Sequence, residues 1–171
     1  MITEEQEKWL AHLSNVDLIK IIPFDPVCNE KFEVIKNKIQ ASLGSKVVVE
    51  HHGATSLGIS GQDEVDIYVP VSPDEFQDRI DDLIKLFGEP KSHYPLQRAR
   101  FVTTENKKHI DIFLINEIHP NWLNLVNFEN HLRNHPAVLE AYKNLKEAGN
   151  GMNTREYYRI KTEFINGVLN S

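Results

Sequence analysis

The stretch VVVEHHGATSLGISGQDEVDIYV, from Val47 to Val69, decides the fold. Its β-branched start, Val47–Val49, predicts a strand, and Glu64–Val69 predicts a second strand. The residues between them are small and polar, which predicts a turn. Backbone N–H groups in such a turn can converge on an anion, because glycine has no Cβ to block a close approach. The turn contains three glycines, Gly53, Gly58 and Gly61.

Asp66 lies in the second predicted strand, between the apolar Val65 and Ile67. A carboxylate beside a phosphate-sized turn allows a divalent cation to bridge protein and triphosphate oxygens. The alternative is a hairpin with a loose loop and one aspartate that faces solvent. The spacing alone leaves both interpretations open.

Composition limits the class of protein. The chain has 171 residues, 40% hydrophobic and 26% charged, so we expect one domain over residues 1–171. Its net charge of −6 argues against binding of bulk nucleic acid. Cys28 is the single cysteine, which excludes an internal disulfide and a cysteine-based zinc site. The N-terminus lacks a signal-peptide pattern, and no apolar run reaches about 20 residues, so we expect a cytoplasmic protein without membrane contact.

The rest of the pattern predicts an α+β layout, with two helices flanking four strands before a helical C-terminal block that begins near His119. The two flanking helices are Pro26–Leu43 and a segment opened by Ser72–Glu75, and the remaining two of the four strands are Arg98–Thr103 and His109–Ile115. A short helix at Thr3–Leu13 and a short strand at Ile19–Ile22 are predicted before them.

Three segments, Glu50–Leu57, Gly58–Gly61 and Val65–Ile67, resemble the signature of the GrpB-like family of the nucleotidyltransferase superfamily. That signature is usually EH-x-GST-x-VPGL, two small residues, KP, and an aspartate between hydrophobic residues. The resemblance extends from Ile22 to about Leu169. It implies a nucleotidyltransferase-like fold, in which a small mixed β-sheet has flanking helices on one face and a helical C-terminal block.

The resemblance also implies a site for a triphosphate and a divalent metal. It assigns the phosphate-binding turn to Gly53, Ala54, Thr55 and Ser56, with Ala54 where the superfamily has serine. It assigns catalysis and the binding of Mg²⁺ or Mn²⁺ to Asp66 and Asp111. Asp111 stands where the family often has the second histidine of His-x-His. The usual second aspartate of the superfamily is replaced by Tyr68, and the family's Lys-Pro by Gln62-Asp63.

Basic residues are expected to contact the phosphates. Arg100 lies on the strand before Asp111, while Arg133 and Lys161 match family motifs in the C-terminal block. An exposed strand face explains Arg100 equally well. We expect His51 to hydrogen-bond the turn, and without a His/Cys cluster at ligand spacing the sequence does not predict zinc.

Two functions from different classes remain. One is a metal-dependent nucleotidyltransferase acting on an unidentified acceptor, and Asp111 favours it. The other is a non-catalytic module that binds a nucleotide or another small phosphorylated ligand, which Tyr68 and Gln62-Asp63 favour. The family also occurs fused to dephospho-CoA kinase domains, which suggests a link to coenzyme A metabolism for either function. A protein–protein interaction role without a ligand is a weaker third interpretation, and the oligomeric state is unknown.

Overall fold

The structure is a computed structural model that describes residues 1–170. The helices are α1 Glu4–Ala11, α2 Val27–Leu43, α3 Gly53–Ser56, α4 Phe76–Phe87, α5 Pro120–Asn134, α6 Pro136–Ala148 and α7 Thr154–Leu169. The strands are β1 Glu50–His52, β2 Glu64–Val71, β3 Ser92–Tyr94, β4 Arg98–Glu105 and β5 Lys108–Asn116. No helix among these is long and apolar enough to span a lipid bilayer.

The five strands form one mixed sheet in the order β1-β2-β5-β4-β3. The central pair, β2 and β5, is parallel, and every other pair is antiparallel. The predicted α+β fold with a small mixed sheet is therefore confirmed. In the parallel pair, Glu64 lies opposite His109 and Asp66 lies opposite Asp111.

The two faces of the sheet differ because successive side chains point to opposite sides of a strand. Along β2, Val65, Ile67 and Val69 are fully buried, while the alternating Glu64 and Asp66 are only half-buried. Helices α2 and α4 cover the apolar face and share one hydrophobic core with it. Each aliphatic side chain in this core contributes about 1.5–3 kcal/mol by burial.

The polar face lies opposite α5, α6 and α7, which pack around a second hydrophobic cluster with α3. Helices thus lie on both faces of the sheet, whereas the resemblance implied one. The reason is visible at Trp122 of α5, which contacts His52 and Tyr68 on the polar face. Aromatic side chains on that face require a cover against water.

Strand boundaries differ from prediction at the sheet edge. Val47–Val49 precedes β1 and is not part of a strand. The predicted strand at Ile19–Ile22 forms one isolated bridge, between Ile22 and Gly61. Strand β3 pairs with β4 and was not predicted. Strand formation needs a partner with free N–H and C=O groups, and sequence propensity does not reveal that partner.

The helix starts agree more closely. Thr3 caps α1 in a reciprocal capping box with Gln6, and Asn153 caps α7. Asp25 accepts a hydrogen bond of 3.1 Å from the Val27 N–H at the start of α2. Ser72–Glu75 forms a turn, and α4 begins one residue later at Phe76.

Candidate functional site

A cavity of about 550 Å³ lies between the polar face of the sheet and helices α5–α7. Its sheet side carries three carboxylates, and its helical side carries two ammonium groups and two tyrosines. The strands supply Glu64, Asp66 and Asp111, and the helices supply Tyr142, Lys146, Tyr158 and Lys161.

Asp66 lies directly beneath Gly53, the first residue of α3. Gly53 has a φ of +77°, and a Cβ at this position would overlap the Asp66 carboxylate. The glycine therefore allows the turn to approach the carboxylate. Burial, and then the negative charges of Glu64 and Asp111, raise the pKa of Asp66 to about 7. Among residues 1–170, no side chain or N–H group forms a hydrogen bond or ion pair with this carboxylate.

A substitution at Gly53 tests this close approach. We expect Gly53→Ala to lower the free energy of unfolding by about 2–3 kcal/mol, because left-handed backbone strain adds to overlap with Asp66. Gly58→Ala is the matched control, because Gly58 has a φ of +68° with open space where its Cβ would lie. Urea denaturation should show the smaller loss for Gly58→Ala, about 1 kcal/mol. Equal losses would contradict the overlap.

Asp111 is buried and held by a basic side chain. The Arg100 Nε donates a hydrogen bond of 2.8 Å to Asp111 Oδ1, and His109 Nε2 lies 3.3 Å from the same oxygen. The second oxygen, Oδ2, forms no hydrogen bond within residues 1–170. Arg100 thus positions Asp111 in this structure, and its predicted contact with phosphate stays a prediction.

The first N–H group of α3 is already bonded to a carboxylate. Gly53 N donates to Glu129 Oε1 at 2.7 Å, and Glu129 Oε2 lies 3.0 Å from His52 Nδ1. His52 Nε2 lies 2.8 Å from Glu50 Oε2. Burial would lower the pKa of His52, but Glu129 and Glu50 outweigh burial and raise this pKa. A hydrogen-bonded chain of Glu50, His52 and Glu129, in which His52 and Glu129 are buried, therefore fixes the turn.

His51 faces the opposite side of the sheet, stacked on Phe32 with ring centroids 4.9 Å apart. Its Nε2 lies 2.8 Å from Thr55 Oγ1, so the predicted hydrogen bond to the turn is confirmed. Burial lowers the pKa of His51 to about 4, which keeps the imidazole neutral. Thr55 is buried beside it and does not line the cavity.

Ser56 and Arg133 contact each other outside the cavity. Arg133 donates to Ser56 Oγ at 3.0 Å, and Ser56 Oγ donates to Gly53 O at 3.1 Å. Of the four predicted turn residues, only Gly53 and Ala54 line the cavity. The phosphate-binding roles of Thr55, Ser56 and Arg133 stay predictions, and this placement does not favour them.

Lys146 is the most unusual group in the cavity, because the residue is 4% exposed and its ammonium group has no ion pair or hydrogen bond within residues 1–170. Its Nζ lies 5.5 Å from the centroid of the Tyr142 ring. Burial, and then the positive charge of Lys161, lower the pKa of Lys146 to about 7. Lys161 likewise lies over a ring, that of Tyr158, at 5.2 Å, and is not in an ion pair in this part of the chain.

Several of these residues were missed in the sequence. Glu64 had a readable signal, because it precedes Asp66 by two residues and must share its face of β2. Lys146 matches a family motif, but its burial is a tertiary property. Asp63 and Lys108 form an ion pair at the protein surface, so Asp63 contributes no carboxylate to the cavity.

The mixed sheet, its acidic face and the helical C-terminal block define a protein of the α+β class. The family model described as GrpB protein matches residues 18–171, and the chain belongs to the GrpB family. The conserved protein GrpB from Enterococcus faecalis has a similar crystal structure, with a TM-score of 0.63. The two chains are 18% identical, over 87% of this chain and 99% of that one, which supports the fold alone. No curated protein sequence matches this chain.

Proposed function

We propose that this protein is a metal-dependent nucleotidyltransferase that binds a nucleoside triphosphate in the cavity and acts on an unidentified acceptor. One observation carries the proposal. Asp66 and Lys146 face the same cavity from opposite sides, and neither side chain has a hydrogen bond or ion pair in the described chain. An ionised group that is shielded from water and lacks such a partner is costly, so the two groups together favour a ligand with both signs of charge. A triphosphate with a divalent cation has both.

Asp66 and Asp111 fit a divalent metal ion. They lie opposite each other on two parallel strands, and the Asp66 carboxylate and Asp111 Oδ2 have no competing hydrogen bond among residues 1–170. Carboxylate oxygens are the ligands that Mg²⁺ and Mn²⁺ prefer. When bound, such an ion neutralises charge that develops on phosphate oxygens.

The chain's own groups would perform the remaining work. Lys146 and Lys161 would donate hydrogen bonds to phosphate oxygens from the helical side, while Arg100 keeps Asp111 in place. In the transfer, an acceptor oxygen bonds to the α-phosphorus as the bond to the β-phosphate breaks. Pyrophosphate leaves, and the acceptor's proton passes to solvent.

A second function, a non-catalytic nucleotide- or phosphate-binding module, is favoured by Tyr68. This residue occupies the usual position of a further metal-binding aspartate. It stacks on Phe113 with centroids 4.6 Å apart, so it serves packing and offers no carboxylate. A link to coenzyme A metabolism is compatible with either function.

Label transfer distinguishes the two functions. The protein is incubated with each of four nucleoside triphosphates labelled at the α-phosphate, with Mn²⁺ and cell extract as the source of acceptor. We expect metal-dependent transfer of label that Asp66→Asn reduces at least 100-fold, since its carboxylate holds the ion. Asp63→Asn, a change to an exposed acid beside the same turn, should leave transfer unchanged. Nucleotide binding without transfer of any label would decide for the binding module.

A further inference from the structure

The structure contains a second group of potential metal ligands beside Asp66. Glu64 and His109 lie opposite each other near the start of β2 and β5, two residues before Asp66 and Asp111 on their strands. One ligand atom from each of Glu64, His109 and Asp111 lies within 4.8 Å of the others. This spacing is compact enough for a single ion to contact all three.

One ring nitrogen of His109 has no hydrogen-bond partner within residues 1–170. Its Nε2 is shielded from water and forms no hydrogen bond, although Asp111 Oδ1 lies only 3.3 Å away. The misaligned contact leaves the nitrogen lone pair or proton unused. A polar atom shielded from water normally has a partner. A metal ion held by the neighbouring carboxylates would be such a partner for the imidazole nitrogen.

The other two ligands are also available. The Glu64 carboxylate forms no hydrogen bond or ion pair in residues 1–170, and Asp111 retains a free Oδ2. Arg100 restrains Asp111 through Oδ1, as an outer partner restrains a metal-binding carboxylate.

We infer that Glu64, His109 and Asp111 form a metal site that selects a transition-metal ion over Mg²⁺. An imidazole nitrogen suits later first-row ions such as Co²⁺ or Zn²⁺, whereas Mg²⁺ prefers oxygen ligands in an octahedral arrangement. The site shares Asp111 with the proposed nucleotide-metal site, but the inference concerns binding of the metal alone and does not require transfer activity.

The test titrates the full chain with Co²⁺ or Mg²⁺, without nucleotide, by calorimetry and by the visible absorption of bound Co²⁺. We expect one Co²⁺ site at least tenfold tighter than the Mg²⁺ site. His109→Ala and His109→Gln should each remove that preference and the absorption band, while changing Mg²⁺ affinity less than threefold. Glu64→Gln should weaken binding of both ions. Circular dichroism confirms that each variant is folded.

His135→Ala is the matched control, because His135 is exposed and stacks on His131 with centroids 4.0 Å apart, away from the three ligands. If Co²⁺ binding follows His135 rather than His109, or if both His109 variants keep the preference, the inference is wrong. If the wild type prefers Co²⁺ but transfers no label, the proposed function is wrong and this metal site stands. If the wild type transfers label but does not prefer Co²⁺, the metal site is wrong and the proposed function stands.

Discussion

Lys146→Met is expected to stabilise the protein and to weaken nucleotide binding at the same time. Removing a buried ammonium that has no partner should raise the free energy of unfolding at pH 6 by about 1–3 kcal/mol. Loss of a charged hydrogen bond to phosphate should weaken binding of a nucleoside triphosphate roughly 10- to 100-fold. Methionine keeps similar volume and flexibility, so packing against Tyr142 changes little. Urea denaturation and calorimetry measure the two effects.

The effect on stability should depend on pH in a defined direction. The pKa of Lys146 falls from its usual 10.5 to about 7 on folding, so between these values the unfolded chain binds more protons at this site. The contribution of Lys146 to the free energy of unfolding of the wild type therefore becomes more favourable as the pH rises from about 7 to 10.5. The advantage of Lys146→Met should be largest below pH 7 and shrink towards pH 10. An advantage that stays constant from pH 6 to pH 10 would show that Lys146 is not buried as a charge.

Glu129→Ala is expected to lower the free energy of unfolding by about 3–5 kcal/mol, the usual cost of removing one member of a buried charge pair. The change leaves the Gly53 N–H group without its acceptor at 2.7 Å and His52 without its carboxylate at 3.0 Å. Arg133 also loses a contact of 3.4 Å, which is more exposed and contributes less. Chemical denaturation at neutral pH measures the loss.

Two controls separate the buried network from charge alone. Glu129→Gln keeps an oxygen for the Gly53 N–H group but removes the charge beside His52, so an intermediate loss is expected. Glu140→Ala removes an exposed acid that pairs with Lys143 at 3.6 Å, and it should change stability by less than about 0.5 kcal/mol. A loss under 1 kcal/mol for Glu129→Ala would contradict the role given to this network.

The strongly periodic elements of the fold could be predicted from the sequence. Alternation along Glu64–Val71 and the three-to-four spacing of Phe32, Ile35 and Ile39 report which side of each element is buried. The edge of the sheet could not be predicted, because Val47–Val49 has strand propensity but no neighbour in the sheet. Strand propensity is a property of one chain segment, whereas a strand forms only when that segment hydrogen-bonds to a second one.

The candidate site was predicted where it follows a local pattern. The opposite placement of Asp66 and Asp111 agrees with two neighbouring strands that each carry one aspartate between apolar residues. Burial and pairing determine the rest, and neither is local. Glu129 comes 76 residues after Gly53 and yet bonds its N–H group, which no spacing rule predicts. Arg133 matches a family motif but contacts Ser56 outside the cavity.

Calorimetric titration with a non-hydrolysable nucleoside triphosphate in the presence of Mn²⁺ tests the proposed nucleotide site most directly. We expect one binding site in the wild type, affinity reduced at least tenfold in both Asp66→Asn and Lys146→Met, and no change in Asp63→Asn. Absence of binding for all four nucleotides, or equal affinity in the wild type and both cavity variants, would contradict the nucleotide site.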